Sequence, residues 1–525
     1  MDVDESRVDS EVSDRVLGSS GTDLVEDVCA DAPMDDNPWS DYCMIEEAEA
    51  RQWVCDLEAQ CREESAMGDF EEGDGGLDPA KVAAARAEEV SYMHQRGLWD
   101  VVPVPPGVYP VSVRWVDVVK GDGSTRSRLV ARDFKGDDRG RDDLFVATPP
   151  LEAFRVVLSR AVTETSTRER RRVVFIDAKK AHLNPRCHED VYIELPVECG
   201  APPGMCGKLR FWLYGFRRAA SEWEQHYASL LESAGFVRGA ACPVLFYHPG
   251  RDISLAVHGD DFVAAGLAGD LAWLTDYLQQ CFEIKVRAVL GDGPHFDKEV
   301  VMLGRTVRWT QSGVEIEADP KHRRLLMEGF GLDDSSKGLM VNGEAKIELD
   351  QDSNGIELVT SEATAFRALV ARLNFLSQDN PELQFPAKEL SRDMAHPTVG
   401  SWSRLKKTVR FLVSRRRVVW RFDFQEDPGR LRVYTDSDWG GDRLSRKSTT
   451  GGAICFGGHC LRTWSSTQGA IALSSAEAEF YALVDGALRA KWTQSVLCEL
   501  GWPVSPAAEL CTDSSAAKSF ISRRV

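Results

Sequence analysis

Short apolar runs bounded by glycine, proline and aspartate alternate with segments of helical spacing along the chain after residue 78. Apolar residues three and four positions apart indicate helices, whereas alternating or continuous short apolar runs indicate strands. We expect helices at 79–95, 153–164, 271–282, 322–330, 364–378 and 402–413, and one that begins at Ser475. Strands are expected within 108–134, around a Gly-Asp-Gly turn, and at 173–176, 253–266, 431–435, 453–456 and 461–464. This mixture predicts a multidomain α/β and α+β chain.

Several of the predicted strands end on acidic residues. The apolar run 173–176 stops at Asp177, and the run 253–266 is interrupted by His-Gly-Asp-Asp, which places Asp260 and Asp261 at a hairpin tip. An ordinary turn explains the second pattern, and a helix N-cap explains Asp177. A pair of metal-binding carboxylates at the edge of one sheet explains both patterns together.

The same arrangement recurs near the C-terminus. Asp436 and Asp438 close one strand, Asp513 follows another, and Glu479 lies in the first turns of the helix that begins at Ser475. Acidic residues at strand ends and in the first turn of a helix again permit either capping or metal binding.

Two basic segments have two explanations each. Arg126, Arg128 and Arg132 alternate along a predicted strand and share one face, which is either solvated or grips phosphate. The helix at 402–413 contains no acid and runs into Arg415-Arg416-Arg417. It too is either a solvated face or a contact for a phosphate backbone.

The charge of the chain is unevenly distributed. The net charge of −20 comes from residues 1–80, which hold 25 acidic and 4 basic residues, whereas the other 445 residues hold 59 basic and 58 acidic ones. We therefore expect residues 1–78 to be a disordered acidic arm, with a short helix within 42–62, and the body to be neutral enough for basic grooves.

Other function classes are disfavoured by composition. No apolar run approaches the roughly 20 residues of a membrane span. The 13 cysteines show no paired spacing, and Cys455, His459 and Cys460 are not expected to bind zinc. With no signal peptide in view, we expect reduced thiols and an intracellular location.

Asp177 is followed 83 residues later by Asp260. If one sheet gathered Asp177, Asp260 and Asp261, their repulsion would be relieved by two Mg²⁺ ions about 3.5–4 Å apart. Such a site suits nucleotidyl transfer, because one metal activates a 3′-hydroxyl and the other steadies the leaving pyrophosphate.

Over residues 80–513 the sequence resembles the reverse transcriptase region of copia-type retrotransposon Pol polyproteins. The matching motifs occur in family order: 97–99 (GLW), 113–116 (VRWV), 128–132 (RLVAR), 176–184 (IDAKKAHLN), 213–217 (LYGFR) with Trp223, 258–261 (HGDD) and 302–304 (MLG). The resemblance implies that Asp177, Asp260 and Asp261 are the catalytic metal ligands. It also implies that Arg128, His182, Gly215 and Arg217 contact substrate.

The last part of the chain resembles the ribonuclease H domain of the same family. The motifs are 434–439 (YTDSDW), 464–466 (WSS), 472–480 (ALSSAEAEF) and 511–514 (CTDS). By this likeness Asp436, Glu479 and Asp513 are catalytic metal ligands. Residues 366–370 and the helix at 402–413 resemble the connection segment between the two units.

The resemblance implies the following organisation: an acidic arm at 1–78, reverse transcriptase fingers and palm at 79–330, thumb and connection helices at 331–430, and a C-terminally truncated ribonuclease H-like domain at 431–525. The implied function is an RNA-directed DNA polymerase that uses two Mg²⁺ ions, or Mn²⁺, in each active site. Its partners would be an RNA template, a DNA primer, the RNA/DNA hybrid and deoxynucleoside triphosphates, without a membrane. The implied location is a cytoplasmic particle, with the nucleus left open.

Three departures from the family pattern favour the alternative of a catalytically decayed relic or scaffold that only binds nucleic acid. His258-Gly259 stands where the family has Tyr-Val, and His182 stands where the family has an aromatic ring that tests for a 2′-hydroxyl. The chain also stops about a dozen residues after Asp513, before a segment in which the family has a further acid.

Overall fold

The computed structural model describes residues 77–119, 123–133, 150–164, 169–340, 355–502 and 507–522, all within one compact unit. The predicted disorder of the acidic arm and the helix expected within 42–62 lie outside the described residues. The α-helices of the described residues are α1 (Pro79–Arg96), α2 (Leu151–Val162), α3 (Arg217–Ser233), α4 (Ala268–Cys281), α5 (Pro320–Glu328), α6 (Thr360–Ser377), α7 (Pro381–Arg392), α8 (Val399–Ser414), α9 (Ser475–Glu499) and α10 (Ser515–Ile521).

The strands of the described residues form five sheets. They are β1 (Trp99–Pro103), β2 (Val113–Val119), β3 (Thr125–Ala131), β4 (Arg172–Ala178), β5 (Tyr192–Ile193), β6 (Met205–Leu209), β7 (Val237–Arg238), β8 (Leu245–His248), β9 (Ile253–His258), β10 (Asp261–Gly266), β11 (Ile284–Leu290), β12 (Glu299–Met302), β13 (Arg305–Trp309), β14 (Gly313–Ala318), β15 (Trp420–Asp423), β16 (Arg430–Ser437), β17 (Thr449–Phe456), β18 (His459–Thr467) and β19 (Ala507–Cys511). The prediction of a mixed α/β and α+β chain is confirmed.

Local sequence explains where the helices begin and end. The Asp78 side chain accepts the N–H of Ala80 at the start of α1, and the helix ends at Gly97, whose φ of +63° suits glycine. The Ser474 side chain likewise accepts the N–H of Glu477 at the start of α9. The helices predicted from apolar spacing lie within a few residues of the observed ones.

The central sheet has the strand order β11-β4-β10-β9-β8-β7 and is antiparallel throughout. Successive side chains of a strand point to opposite faces, so β4 contributes Val173 and Phe175 to one hydrophobic cluster and Val174 and Ile176 to another. The second cluster is covered by α3 and α4. Both faces of the inner strands β4, β9 and β10 are therefore largely buried.

The C-terminal sheet has the order β18-β17-β16-β19, in which β16 and β19 are parallel and the other pairs antiparallel. Helix α9 lies on this sheet and crosses β16 closely at Gly486. A Cβ added there would lie 2.5 Å from Cγ2 of Thr435, so glycine permits the approach. This contact brings the first turns of α9 to the end of β16.

A third sheet, β12-β13-β14-β15, joins segments from both sides of residue 330, because β15 pairs with β14. One hydrophobic cluster runs from α2 and the central sheet through this third sheet into the C-terminal sheet. The predicted division at 78, 330 and 430 stays a prediction, and the described segments on either side of 330 and of 430 share this cluster.

A buried ion cluster fixes the same junction. The Asp379 carboxylate accepts from Nε of Arg305 at 2.8 Å and pairs with Nη2 of Arg155 at 3.2 Å. Arg155 also stacks on the ring of Trp420, 3.6 Å from its centroid. Buried charges are tolerated only when they are paired and hydrogen-bonded, as these are, so the cluster locks α2 against β13 and β15.

Candidate active sites

The central acid site consists of Asp177, Asp260 and Asp261, at one end of the central sheet. Asp177 belongs to β4 and is the direct cross-strand partner of Asp261, the first residue of β10. Asp177 caps no helix, because its strand continues to Ala178. Directly opposed residues on neighbouring strands have side chains on the same face, so these two carboxylates meet at the sheet edge.

Asp260 lies in the two-residue loop between β9 and β10. Gly259 has a φ of +62°, and Asp260 is not among the residues with positive φ, which is the pattern of a type II′ hairpin. The carbonyl of Asp260 accepts the N–H of Ala178, and that of Gly259 accepts from the buried indole of Trp223, at 2.8 Å each. The hairpin predicted from the sequence is confirmed, and its tip is held at both residues.

Electrostatics distinguish Asp260 from a simple surface acid. Desolvation, followed by the negative charge of Asp177, raises the pKa of the Asp260 carboxyl. The residue as a whole is exposed at the tip. The repulsion from Asp177 follows from the geometry of the acid site itself.

The sequence did not single out a fourth residue of this site. Nη2 of Arg287 lies 2.5 Å from Oδ1 of Asp177 and 3.3 Å from Oδ1 of Asp261. Among the described residues, Asp177, Asp260 and Asp261 do not form a group with ligand atoms all within 4.8 Å of one another. The expected trio of adjacent carboxylates is thus an acid pair that shares a guanidinium group, with Asp260 beside it.

Three of the predicted substrate-binding residues lie together beside this site. The guanidinium of Arg128 lies over the ring of Tyr214, 5.3 Å from its centroid, and the ring of His182 lies 5.8 Å from the same ring. Burial and the charge of Arg128 lower the pKa of His182 to about 4, so the imidazole is neutral. The third residue, Gly215, follows Tyr214 with a φ of +85°.

Gly215 has a structural reason to be glycine. A Cβ at this position would lie 2.2 Å from the carbonyl oxygen of Ala131, at the end of β3. The N–H of Arg217 donates to Oδ2 of Asp133 just beyond β3. The motif therefore binds the β2–β3 hairpin to the start of α3, and contact of Gly215 and Arg217 with substrate stays a prediction.

The C-terminal acid site consists of Asp436, Glu479 and Asp513. Each residue offers an oxygen within 4.8 Å of the others, and in the described part of the chain no other group of three or more potential ligands meets this distance. Asp436 comes from β16, Glu479 from α9, and Asp513 from the segment after β19. Asp436 and Asp513 also line an open cleft of ≈ 390 Å³.

Glu479 is the buried member of this site, with 8% of its surface exposed. Its Oε1 accepts from the N–H and the hydroxyl of Ser437, at 3.0 and 3.1 Å, whereas its buried Oε2 has no hydrogen-bond partner among the described residues. Burial, then the charges of Asp436 and Asp513, raise the pKa of Glu479. A divalent cation would satisfy Oε2 and relieve the repulsion, so these residues fit a metal.

The basic helix α8 is largely committed to the fold. Arg404 pairs with Asp393, and Arg410 donates to the carbonyl of Lys337. Beyond the helix, Arg415 pairs with Glu382 and Arg417 with Glu317. These contacts favour a structural role over the phosphate-binding interpretation.

His459 and its two neighbouring cysteines show no zinc geometry. Both nitrogens of the His459 ring are used in hydrogen bonds, Nδ1 with Oγ of Ser159 at 2.8 Å and Nε2 with the carbonyl of Asp423 at 2.7 Å. Cys455 and Cys460 are cross-strand partners.

In the described segments, no helix is long and apolar enough to cross a membrane.

Comparison with known proteins relates the segment that contains the central sheet to a described protein family. Residues 96–292 match the family model described as reverse transcriptase (RNA-dependent DNA polymerase). This span contains the central acid site, Arg287 and the residues around Tyr214. The chain therefore contains a reverse transcriptase domain.

The relatives define the family more closely. The chain is 27% identical over 460 residues to the retrovirus-related Pol polyprotein from transposon RE2 of Arabidopsis thaliana, covering 82% of this chain and 29% of that protein. It is 26% identical over 451 residues to the corresponding polyprotein from transposon TNT 1-94 of Nicotiana tabacum, covering 82% and 32%. The chain is thus similar to the Pol polyproteins of copia-type retrotransposons, and it spans about a third of the length of these relatives.

Among solved structures, the chain is similar to the foamy viral protease-reverse transcriptase in complex with an RNA/DNA hybrid. The TM-score is 0.44 at 11% identity, and the alignment covers 83% of this chain and 48% of that one.

Proposed function

We propose that this chain is an RNA-directed DNA polymerase with the central acid site as its active site. The observation that carries the proposal is the direct cross-strand pairing of Asp177 and Asp261, with Asp260 in the turn that precedes β10, inside the segment that matches the reverse transcriptase family. Its substrates would be an RNA template, a DNA primer and deoxynucleoside triphosphates.

In this proposal Asp177, Asp260 and Asp261 hold two Mg²⁺ ions, and Mn²⁺ can replace them. The site fits cations, because the guanidinium group of Arg287 offsets only one of the two negative charges that it contacts, those of Asp177 and Asp261. The bound metals would supply Lewis-acid activation of the primer hydroxyl and charge stabilisation of the pyrophosphate. Arg128 would position the triphosphate, while the neutral His182 ring beside Tyr214 would face the sugar.

We also propose that the C-terminal acid site cleaves the RNA strand of the hybrid, with Asp436, Glu479 and Asp513 as the metal ligands. The buried Oε2 of Glu479, which lacks a hydrogen-bond partner among the described residues, supports this proposal. The chain would then remove the template that it has copied, which is the combination implied by the family resemblance.

Primer extension by the whole chain on poly(rA) primed with oligo(dT), with dTTP and Mg²⁺, tests the polymerase proposal. Asp260→Asn should lower the rate by roughly two orders of magnitude or more while hybrid binding survives, because the fold keeps the turn but the metals lose a charge. Asp276→Asn, on the exposed face of α4, is the matched control. Hybrid binding without extension by the unaltered chain would favour the relic, and an unchanged rate in Asp260→Asn would refute the assignment.

A further inference from the structure

Arg287 reaches the central acid site through an irregularity in β11. The pairing of β11 with β4 shifts between Val286 and Ala288, so Arg287 is an extra residue with no partner of its own in β4. A β-bulge of this kind changes the direction of a side chain relative to a regular strand. Here the extra residue is a cation, and its side chain extends to Asp177 in β4 and, across β4, to Asp261 in β10.

The guanidinium group of Arg287 lies close to both acids. Nη2 of Arg287 is 2.5 Å from Asp177 and 3.3 Å from Asp261, whose side chains are 21% and 11% exposed. Like charges opposite each other on adjacent strands destabilise a sheet, and such a pair needs a counter-charge when no metal is bound. A guanidinium group between the two carboxylates provides it.

The same position is the one where a divalent cation would bridge the acids. A cation that bridges Asp177 and Asp261 must replace the Arg287 contacts, because each carboxylate has few free directions at a buried sheet edge. The Arg287 side chain is 34% exposed, so solvent is available to receive it when it leaves.

We propose that Arg287 is the resident counter-cation of the Asp177–Asp261 pair, and that it competes with divalent metal and so sets the metal concentration at which the central site fills. The proposal rests on the proposed function in one respect, that these two acids are metal ligands. Arg287 is a positioning residue in this scheme, since it acts on metal occupancy through the acids.

Metal binding without turnover tests the inference. Mn²⁺ would be titrated into the full chain carrying Asp436→Asn, which weakens the C-terminal site, and free Mn²⁺ would be followed by electron paramagnetic resonance. Arg287→Gln should lower the Mn²⁺ dissociation constant about tenfold, the size expected for loss of one adjacent, solvent-screened charge. Arg287→Lys should restore weaker binding, because it keeps the charge.

Lys406→Gln is the control for net charge, since it removes one positive charge from an exposed position on α8, outside the segment that holds the central acid site. Its substitution should leave the constant within about twofold, because a distant exposed charge is screened. Asp177→Asn should abolish tight Mn²⁺ binding at the central site, whether it is introduced into the parent chain or into any of the other variants.

The outcomes separate the two proposals. Equal Mn²⁺ affinity in Arg287→Gln and the parent, together with loss of binding in Asp177→Asn, would overturn the role of Arg287 and leave the polymerase proposal standing. No effect of Asp177→Asn on any binding would overturn both.

A second measurement needs no substitution at Arg287 and covers the case in which that variant does not fold. Modification of Arg287 in the unaltered chain by phenylglyoxal, followed by mass spectrometry of the peptides, should increase when Mn²⁺ is saturating, because the side chain is released to solvent. Unchanged or lower modification of Arg287 would contradict the exchange.

Discussion

The central and C-terminal acid sites gather carboxylates on sheet edges but compensate their charge in different ways. In the central site a guanidinium group of the chain itself lies between two carboxylates. In the C-terminal site three carboxylates lie within 4.8 Å of one another, and Oε2 of Glu479 is buried without a hydrogen-bond partner in the described residues.

Proximity of acids and readiness to bind a metal ion are therefore separate properties of a site. The C-terminal site should bind a divalent cation without moving a side chain, whereas the central site should exchange one cation for another. Metal binding at the central site therefore depends on the release of Arg287, whereas metal binding at the C-terminal site is favoured by the mutual repulsion of its carboxylates. The predictions below test this contrast.

The largest effect should follow Glu479→Gln, which preserves shape and removes the buried charge. Cleavage of the RNA strand of a labelled hybrid should fall about a hundredfold or more, because a metal ligand is lost, while primer extension is unchanged. Glu477→Gln is the control on the same helix: its carboxylate accepts from the N–H of Leu473 and the hydroxyl of Tyr481 instead. Equal cleavage by the two variants would contradict the proposal that the C-terminal acid site cleaves RNA.

A smaller effect, on the choice between deoxynucleotide and ribonucleotide, is expected at His182, the residue proposed to face the sugar of the incoming nucleotide. His182→Phe places a bulkier, apolar ring beside Tyr214, so selection of dTTP over UTP in primer extension should rise about tenfold, the order of a pocket contact. His226→Phe, at a ring that packs on Trp223 in α3, is the comparison. If both variants discriminated as the parent does, His182 would not face the sugar.

The smallest effect concerns stability without metal. Because the pKa of Glu479 is raised, the folded state holds more protons than the unfolded state between 4.5 and the raised value. In EDTA, stability should therefore fall as pH rises through this window, and Glu479→Gln should remove that part of the dependence.

Glu477 provides the opposite sign on the same helix. The hydrogen bond from Tyr481 lowers the pKa of Glu477, so its contribution is lost as pH falls through the lowered value. Thermal unfolding of the parent and the two Gln variants across this range measures both slopes. A parent and a Glu479→Gln variant with parallel curves would show that the acids of the C-terminal site do not interact.

Much of the geometry of both sites was predictable from local sequence. Gly259 between two apolar runs predicted the hairpin, since the loop requires a positive φ that glycine adopts without strain. Acidic residues at strand ends predicted the sheet edges, and the helical spacing from Ser475 onward predicted α9. Each of these features depends on residues close together in the chain.

The counter-charges were not predictable, because they depend on register and on distant partners. Arg287 lies in β11, a strand that the sequence did not single out, and it reaches the acids only because a bulge shifts the pairing of β11 with β4. The bonds from Ser437 to Glu479 join residues 42 positions apart. Arg417, in a basic run that suggested phosphate binding, pairs with Glu317, 100 positions away.

One measurement tests the central claim that two separate acid sites serve two reactions. The full chain would be given a hybrid with a labelled DNA primer and a differently labelled RNA template, and extension and cleavage would be read from the same sample with Mg²⁺. We predict that Asp261→Asn abolishes extension and spares cleavage, while Asp436→Asn abolishes cleavage and spares extension. Loss of both activities in either variant, or of neither, would contradict the account.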